Sequence, residues 1–282
     1  MELYAVGGDE RFACMAACAC AQGIQAHTVG LEHAKACGVH SAPVEALTNA
    51  DCVVMPNPFG KKGLTAPLAT RPVTLEAALY HLSPGAALFL FGEGEIPDRI
   101  KSRFDVHRLD EDETLMRDNA RLTAEGALCA AMNAAPFALW RANCLILGYG
   151  RIAGALNELL VGIGAHTTVA ARRERARRQA AQRGANAVGF DELDRVLGAQ
   201  QVIFSTPPQL VLDGALLTRV NKAALVIDLA SPPYGVDLEA AAGLGIKAWR
   251  ESGLPGRFAP QSAGEALLRS VLAALKLGGV RQ

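Results

Sequence analysis

The 282-residue sequence predicts an α/β fold with two doubly wound parallel-sheet domains. Short apolar runs of strand length alternate with helical patterns along the whole chain. A glycine turn at 148–150 lies between a strand pattern and a helix pattern, as in nucleotide-binding folds. The chain is also longer than an ordinary single domain, so two domains are the default. We expect a flavodoxin-like N-terminal domain and a Rossmann domain, with a cleft between them.

The N-terminal part repeats the strand and helix alternation of an open parallel sheet from residue 1 to about 109. Loops at 7–9, 56–63 and 92–95 follow strand patterns. In such sheets ligands collect beyond the carboxyl ends of the strands, which is where these loops fall. A long helical pattern over 114–140 comes next, and we predict that it bridges the domains.

The segment 143–173 carries the signature of a dinucleotide site. Gly148 makes a tight turn after a strand, Gly150 lets the backbone approach a pyrophosphate, and Ala153 permits close helix packing. The start of the helix then offers free N–H groups to the phosphates. The predicted cofactor residues in this turn are Gly148, Tyr149, Gly150, Arg151, Ile152 and Ala153.

Two arginines end the second strand of this unit, at the place where an acidic residue would hold a ribose 2′-hydroxyl. Arg172 and Arg173 stand 22 and 23 positions after Gly150. A guanidinium there suits a 2′-phosphate, so the sequence favours NADP, with NAD as the alternative. The arginines could instead only begin a solvated basic helix over 172–183.

Two later loops complete the predicted cofactor site. Ser205, Thr206 and Pro207 follow a strand at a place that usually borders the nicotinamide ribose. The residues Asp228, Ala230 and Ser231 follow the next strand. Asp228 fits equally well a role in holding its own loop through backbone hydrogen bonds.

The predicted domain boundaries follow from these elements. Residues 1–138 form the substrate and catalytic domain, and residues 139–264 form the Rossmann domain. We expect the glycine- and proline-rich stretch 253–264 to be a shaped loop and the C-terminal helix 265–282 to complete the first domain.

Composition limits the function classes. The chain has 28 basic and 28 acidic residues, and the balance indicates neither nucleic acid nor a membrane surface as a partner. No stretch approaches 18 consecutive apolar residues, and the N-terminus lacks the pattern of an export signal. The seven cysteines fit a reducing, cytoplasmic compartment, and their spacing predicts no metal site.

An ordered set of motifs resembles one family, the A subunits of dipicolinate synthase. The motifs are Gly7-Gly8-Asp9 with Arg11, Thr123-Ala124-Glu125-Gly126, Gly148-Tyr149-Gly150-Arg151, Asp228-Leu229-Ala230-Ser231, and Leu254-Pro255-Gly256 with Ala259-Pro260 and Ala263-Gly264. The loop 56–63 and the segments 119–122 and 233–235 depart from the pattern of that family.

The resemblance implies an NAD(P)-dependent oxidoreductase that acts with a flavoprotein-like B subunit of dipicolinate synthase. It implies conversion of a hydroxylated tetrahydrodipicolinate, through dihydrodipicolinate, to dipicolinate in the cytoplasm of the mother cell of a spore former. This reaction requires loss of water and then removal of two hydrogens, as a hydride and a proton.

Candidate substrate and catalytic residues follow from this chemistry. A small dicarboxylate needs fixed cations, so Arg11 and Arg257 are the better candidates, and Lys61 or Lys62 the weaker ones, beside Asn57 in the same loop. Each cation could also be a solvated loop residue. The candidate catalytic residues are Glu125, Thr123 and Asp9, although Glu125 also fits an ordinary exposed helix glutamate.

The histidines argue against the nearest generic competitor. A D-2-hydroxy-acid dehydrogenase uses a histidine late in its nucleotide domain, whereas all six histidines here lie at or before position 166. Two other functions stay open, another NADP-dependent reductase of a small carboxylate and a non-catalytic nucleotide-binding partner protein. Self-association into a homo-oligomer also stays open.

Overall fold

The computed structural model describes residues 1–36, 38–60 and 63–278, without the side chains of residues 277 and 278. The chain forms two compact units, one made of Met1–Asn119 with the chain from Pro255 onward, the other of Ala120–Leu254. Each unit is built on a six-stranded parallel sheet. The predicted α/β class with two parallel sheets is confirmed.

The elements alternate along the chain as the sequence predicts. The strands are β1 (Glu2–Val6), β2 (Gln25–Val29), β3 (His40–Ser41), β4 (Cys52–Pro56), β5 (Ala87–Phe91), β6 (Asp105–Arg108), β7 (Asn143–Leu147), β8 (His166–Ala170), β9 (Asn186–Val188), β10 (Val202–Ser205), β11 (Leu225–Asp228) and β12 (Lys247–Arg250). The helices are α1 (Glu10–Ala21), α2 (Leu75–His81), α3 (Asp98–Lys101), α4 (Glu113–Ala134), α5 (Arg151–Gly162), α6 (Glu174–Gln182), α7 (Leu193–Val196), α8 (Gly214–Leu217), α9 (Leu238–Gly243), α10 (Leu254–Phe258) and α11 (Pro260–Gly278).

The first sheet has the strand order β3-β2-β1-β4-β5-β6. Its five longer strands follow the flavodoxin-like order, and the two-residue β3 adds an edge strand. Side chains alternate between the faces, so that Leu3 and Ala5 enter one core while Tyr4 and Val6 enter the other. From β1 the chain adds strands toward one edge of the sheet, and from β4 it adds them toward the other edge. The loops after β1 and β4 therefore border the same crevice.

The return of the chain to the first unit rests on a close crossing of two helices. Helix α11 packs on α1, and both contribute to one apolar core. A Cβ placed on Gly264 would lie 2.5 Å from the backbone nitrogen of Met15 and 2.8 Å from the carbonyl oxygen of Arg11. Glycine at 264 lets the two backbones approach this closely.

The second sheet has the order β12-β11-β10-β7-β8-β9. Cys144 and Ile146 face the core that α4 and α5 cover, while Leu145 and Leu147 face the opposite core. Strand order reverses between β7 and β10. The glycine turn after β7 and the proline-containing loop after β10 therefore start side by side.

Two element predictions were wrong in their extent. The bridging helix ends at Ala134 and not near 140, since Pro136 cannot continue it. The stretch 253–264 is not a loop, because α10 and the start of α11 occupy it. Pro255 and Pro260 fall in the first turns of these helices, where proline is tolerated. The unit boundary lies within α4 and just before Pro255, whereas the sequence suggested 138 and 264.

Candidate functional site

A cavity of about 290 Å³ lies at the carboxyl ends of β7, β8 and β10 in the second unit. It brings together the predicted cofactor residues Gly148, Tyr149, Gly150, Arg172, Arg173, Thr206 and Pro207. Four further residues that the sequence did not single out complete its lining, Ala171, Ala176, Phe190 and Pro208. Residues predicted from three separate loops thus border one space.

The glycine turn is fixed against the loop after β10. Gly148 has φ +83°, and a Cβ at this position would lie 2.8 Å from Oγ1 of Thr206. The hydroxyl of Thr206 donates to the carbonyl of Leu147 at 2.8 Å. Glycine at 148 is therefore required both by the backbone conformation and by the neighbouring loop.

Gly150 differs from Gly148 because the space around it is open. It caps α5 with φ −98° and ψ −163°, and no side chain caps this helix end. A Cβ at Gly150 would meet no atom within 4 Å. Backbone N–H groups at a helix start favour an anion, and the missing side chain leaves room for one.

The next residues anchor this helix start. Ala153 is fully buried in the core beside Ile146, as close helix packing requires. Ile152 packs against the same core, while Arg151 is exposed. The packing of Ile152 and Ala153 therefore holds the start of α5, and with it the glycine turn, against the core.

Arg172 and Arg173 give the cavity a positive wall. Both residues are exposed, and within the described part of the chain neither side chain has a hydrogen-bond or ion-pair partner. The neighbouring carboxylate of Glu174 is paired with Arg178 at 2.6 Å. Two guanidinium groups are thus available to an anion in the cavity.

Ser205 and Asp228 lie beneath the surface and do not line the cavity. Asp228 is fully buried and accepts backbone hydrogen bonds from Ala230 at 3.2 Å and from Gly235 at 3.1 Å. Ser205 is also fully buried, and Gly235 approaches it so closely that a Cβ would overlap its hydroxyl. These contacts favour the loop-holding role of Asp228.

The same loop carries the last two predicted cofactor residues. Ala230 is buried and Ser231 is exposed, and neither lines the cavity. Contact of the β11 loop with a cofactor stays a prediction.

In the first unit, Arg11 is engaged in an internal ion pair. Its Nε and Nη2 each donate to the carboxylate of Asp9 at 2.8 Å, and its Nη1 donates to Asn119 at 3.3 Å. The side chain is only 12% exposed, and the guanidinium lies 5.6 Å from the ring centroid of Phe91. This geometry favours a structural role for Arg11 and Asp9, because a substrate carboxylate would have to compete with Asp9.

The side-chain amide of Asn57 is likewise engaged in internal hydrogen bonds. Its side-chain nitrogen donates to the carbonyls of Gly92 and Gly94, both at 3.1 Å, and its side-chain oxygen accepts from the backbone of Phe59 at 3.0 Å. The buried amide joins the loops after β4 and β5. Lys61 and Lys62 lie outside the described residues.

Arg257 is the exposed cation among the described substrate candidates. Its guanidinium lies 5.4 Å from the ring centroid of Phe258. The preceding Gly256 packs on Asp9, and a Cβ there would lie 2.6 Å from that carboxylate. Arg257 therefore follows a backbone position that is tightly fixed.

Glu125 belongs to a surface network of ion pairs in the second unit. Its side chain is 49% exposed and pairs with Arg121 at 3.2 Å. Arg121 approaches Glu158 at 3.9 Å, and Glu158 pairs with Arg183 at 2.9 Å. Thr123 lies two positions before Glu125 on the same helix and is buried. The network fits an ordinary surface glutamate, and a catalytic role for Glu125 or Thr123 stays a prediction.

Two of the cysteine thiols, those of Cys52 and Cys144, are buried. Burial raises the pKa of the Cys144 thiol to about 12 and, with a smaller effect of Asp51, that of the Cys52 thiol to about 12. No cluster of three or more potential metal ligands occurs among the described residues. Within the same part of the chain, every helix is too short or too polar to cross a membrane.

Comparison with known proteins supports the interpretation of the second unit. A family model described as "NADP oxidoreductase coenzyme F420-dependent" matches residues 144–232, which include the glycine turn and both arginines. The A subunit of dipicolinate synthase from Bacillus subtilis is 30% identical over 157 residues, which are 56% of this chain. The matching segment spans about half of that relative, 52% of its length.

Solved structures extend the similarity to both units. The A subunit of dipicolinate synthase from Bacillus halodurans has a TM-score of 0.83 and 23% identity, with 97% of each chain covered. The corresponding protein from Bacillus subtilis has the same TM-score of 0.83 and 21% identity, with 100% of this chain and 98% of that chain covered. A transhydrogenase from Sinorhizobium meliloti reaches a TM-score of 0.71 at 14% identity, with 98% and 94% covered. The chain is similar to the A subunits of dipicolinate synthase, which confirms the resemblance.

Proposed function

We propose that this chain is an NADP-dependent oxidoreductase whose cofactor occupies the cavity of the second unit. The observation that carries the proposal is the joint lining of this cavity by the glycine turn and the two arginines. Gly150 leaves the N-terminus of α5 open to a pyrophosphate, and Arg172 and Arg173 offer cations for a 2′-phosphate. When bound, NADP⁺ accepts a hydride.

We further propose that the chain acts as the A subunit of a dipicolinate synthase. The similarity to such subunits in sequence and fold supports this assignment. The reaction would remove water from a hydroxylated tetrahydrodipicolinate and then transfer a hydride to NADP⁺ with release of a proton, which leaves the aromatic dicarboxylate. A flavoprotein-like B subunit would be the partner, in the cytoplasm of a sporulating mother cell.

The substrate side of the proposal rests on Arg257. Its side chain is exposed, and it follows Gly256, whose backbone packs closely on Asp9. A planar guanidinium can hold one carboxylate of the substrate through two hydrogen bonds. Lys61, which lies outside the described residues, is the second cation that we propose for the dicarboxylate.

One variant tests the cofactor assignment directly. The double change of Arg172→Ala with Arg173→Ala is expected to weaken NADPH binding at least about 10-fold to 100-fold, because the loss of a single charged hydrogen bond already costs about 1.5–3 kcal/mol, and to change NADH binding little. Dissociation constants from fluorescence titration of the full chain measure both. Arg178→Ala is the matched control, since Arg178 pairs with Glu174 away from the cavity. Equal losses for both nucleotides would show that the arginines only begin a solvated helix.

A second measurement tests the reaction. The chain with NADP⁺ and freshly made aldolase product should generate the absorbance of dipicolinate, with or without a flavoprotein-like B subunit. Tight NADPH binding without this product would reject the dipicolinate assignment while leaving the oxidoreductase class intact.

Another NADP-dependent reductase of a small carboxylate is the second candidate function. It is favoured by the internal contacts of Arg11 and Asn57, which leave fewer groups for a dicarboxylate. Turnover of other 2-oxo or 2-imino acids with NADPH would support it. A non-catalytic nucleotide-binding protein would bind NADPH and turn over none of these substrates, alone or with a B subunit.

A further inference from the structure

The loop between β8 and α6, residues 171–173, is held by an arginine that the glycine signature does not include. Nη1 of Arg177 donates to the carbonyl of Ala171 at 2.8 Å and to the carbonyl of Arg172 at 2.9 Å. Arg177 is half-buried on the first turns of α6 and reaches back over the loop. One side chain therefore satisfies two consecutive carbonyl groups.

These two bonds fix the backbone on both sides of one residue. The carbonyl of Ala171 belongs to the peptide plane that precedes the Cα of Arg172, and the carbonyl of Arg172 belongs to the plane that follows it. Because peptide units are planar, holding both planes holds φ and ψ of Arg172 and thus the direction of its Cα–Cβ bond. The backbone nitrogen of Ala171 is also fixed, by a bond of 3.1 Å to the carbonyl of Val188. Arg172 therefore starts from a defined backbone position.

The neighbouring arginines of α6 do not share this arrangement. Arg178 pairs with Glu174 on the helix surface, and Arg175 is exposed. Arg177 is set apart because it is the α6 arginine that bonds to the loop carrying Arg172. A helix face that merely keeps the protein soluble would not require such contacts.

We propose that Arg177 is a positioning residue for NADP selectivity, which it confers by orienting Arg172 toward the 2′-phosphate. This inference rests on the proposed function. A 2′-phosphate is absent from NAD, so a loose Arg172 would weaken NADPH binding and leave NADH binding nearly unchanged. A side chain of long reach gains most from such pre-organisation, because less conformational freedom is then lost on binding.

The experiment is a double-mutant cycle on the full chain, read out as dissociation constants for NADPH and NADH. Arg177→Ala is expected to weaken NADPH binding about fivefold and NADH binding by less than about twofold, which is the scale of one lost hydrogen-bonded support. In the Arg172→Ala background, adding Arg177→Ala should cause no further loss of NADPH affinity, because its effect passes through Arg172. Arg178→Ala serves as the control of equal charge change and should leave both affinities unaltered.

A conservative variant protects the test against misfolding. In Arg177→Lys the ammonium group can donate to one carbonyl at a time, so its NADPH affinity should fall between those of the unaltered chain and Arg177→Ala. If Arg177→Ala does not fold, the same double-mutant cycle is measured with Arg177→Lys and Arg172→Ala, and its dissociation constants test the positioning role.

The outcomes separate this inference from the proposed function. If Arg177→Ala weakens NADPH and NADH equally, or if its effect is fully additive with that of Arg172→Ala, the positioning role is overturned. If the unaltered chain binds NADPH no better than NADH, the proposed NADP function fails and the inference fails with it. An NADPH preference over NADH that is unchanged in Arg177→Ala overturns the inference alone.

Discussion

Because the space around Gly150 is open, the substitution Gly150→Ala should weaken cofactor binding while it leaves the stability of the fold nearly unchanged. Gly150 has φ −98°, which any residue adopts, and a Cβ there would meet no protein atom within 4 Å. Gly150→Ala should therefore fold normally. The added methyl group would project where we propose that the pyrophosphate approaches the backbone of α5.

The expected change in stability is small because two effects oppose each other. Replacing glycine by alanine at a permitted conformation stabilises by about 0.4–1 kcal/mol through the unfolded state. Alanine is a poorer N-terminal cap than glycine, which costs a few tenths up to about 1 kcal/mol. The free energy of unfolding should thus stay within about 0.5 kcal/mol of that of the unaltered chain.

Cofactor affinity should fall much more. A methyl group that displaces the phosphates from the backbone N–H groups removes charge-assisted hydrogen bonds that contribute about 1.5–3 kcal/mol, so NADPH should bind at least about 10-fold more weakly. NADH should lose a similar factor, because both nucleotides carry the pyrophosphate. Denaturant unfolding and fluorescence titration with both nucleotides measure the two quantities separately.

Gly162 provides the matched control at the other end of the same helix. A Cβ at Gly162 would also meet no atom within 4 Å, and it lies at the end of α5 away from the turn. Gly162→Ala should therefore leave the affinity for both nucleotides unchanged and raise the free energy of unfolding by about 0.4–1 kcal/mol. Unchanged NADPH affinity in Gly150→Ala would refute the placement of the pyrophosphate over this turn.

Two further predictions concern the first unit. Gly264→Ala should lower the free energy of unfolding by about 2 kcal/mol in denaturant titrations, because its Cβ would meet the backbone of α1, and an unchanged midpoint would contradict the close crossing of α1 and α11. The hydroxyl of Ser270 donates to Asp112 at 2.6 Å and, with further backbone hydrogen bonds, lowers the pKa of that carboxyl. This stabilisation is present above the unfolded pKa of about 3.9 and is lost as the pH falls through the folded value, so Ser270→Ala should cost about 1.5 kcal/mol at pH 7 and progressively less below about pH 4. Ser83→Ala, which removes a bond to a neutral carbonyl, should cost the same at both pH values, and a pH-independent cost for Ser270→Ala would remove the carboxylate from the explanation.

Most of the lining of the cavity in the second unit could be predicted from the sequence because its determinants are local. The turn at 148–150 and the arginines at 172 and 173 lie within one strand, helix and strand unit, whose geometry the spacing specifies. The sequence did not predict that Ala176 and Phe190 line the same cavity, since no spacing rule assigns a small or an aromatic residue to its lining. Arg177 could not be singled out from the sequence, because several other arginines surround it. Only its hydrogen bonds to the carbonyls of Ala171 and Arg172 distinguish it from them.

The roles of the candidate substrate residues could not be predicted in the same way, because their contacts combine neighbours in a local turn with partners that are distant in sequence. Arg11 was chosen as a guanidinium that could hold a substrate carboxylate, but its contact with Asn119 spans 108 residues and its pairing with Asp9 depends on how α1 is capped. Asn57 was chosen for its place after a strand, and its amide instead bonds to carbonyls 35 and 37 residues away. A charged or polar residue at a strand end is typical both of a ligand site and of a loop that must be held together. The sequence alone does not separate the two.

The two sheets show why only one of two similar turns is suited to a dinucleotide. Both sheets have the order of a dinucleotide-binding domain, and in both a glycine turn follows the first strand. In the first unit the chain itself fills the turn. A Cβ on Gly7 would lie 2.7 Å from the carbonyl oxygen of Thr65, and the backbone nitrogen of Gly8 already donates to that oxygen at 2.7 Å.

The N-termini of the helices that follow these turns, α1 and α5, also differ in whether the chain itself fills them. Asp9 caps α1, and its carboxylate accepts from the backbone nitrogen of Arg11 at 3.2 Å, so this helix start already holds an anion. The carboxylate of Asp9 thus occupies this helix start, whereas at α5 the cap is Gly150, with no side chain and open space around it. A helix start binds an external anion only where the chain does not supply one of its own. The comparison of the two turns therefore supports our proposal that the nucleotide binds in the second unit.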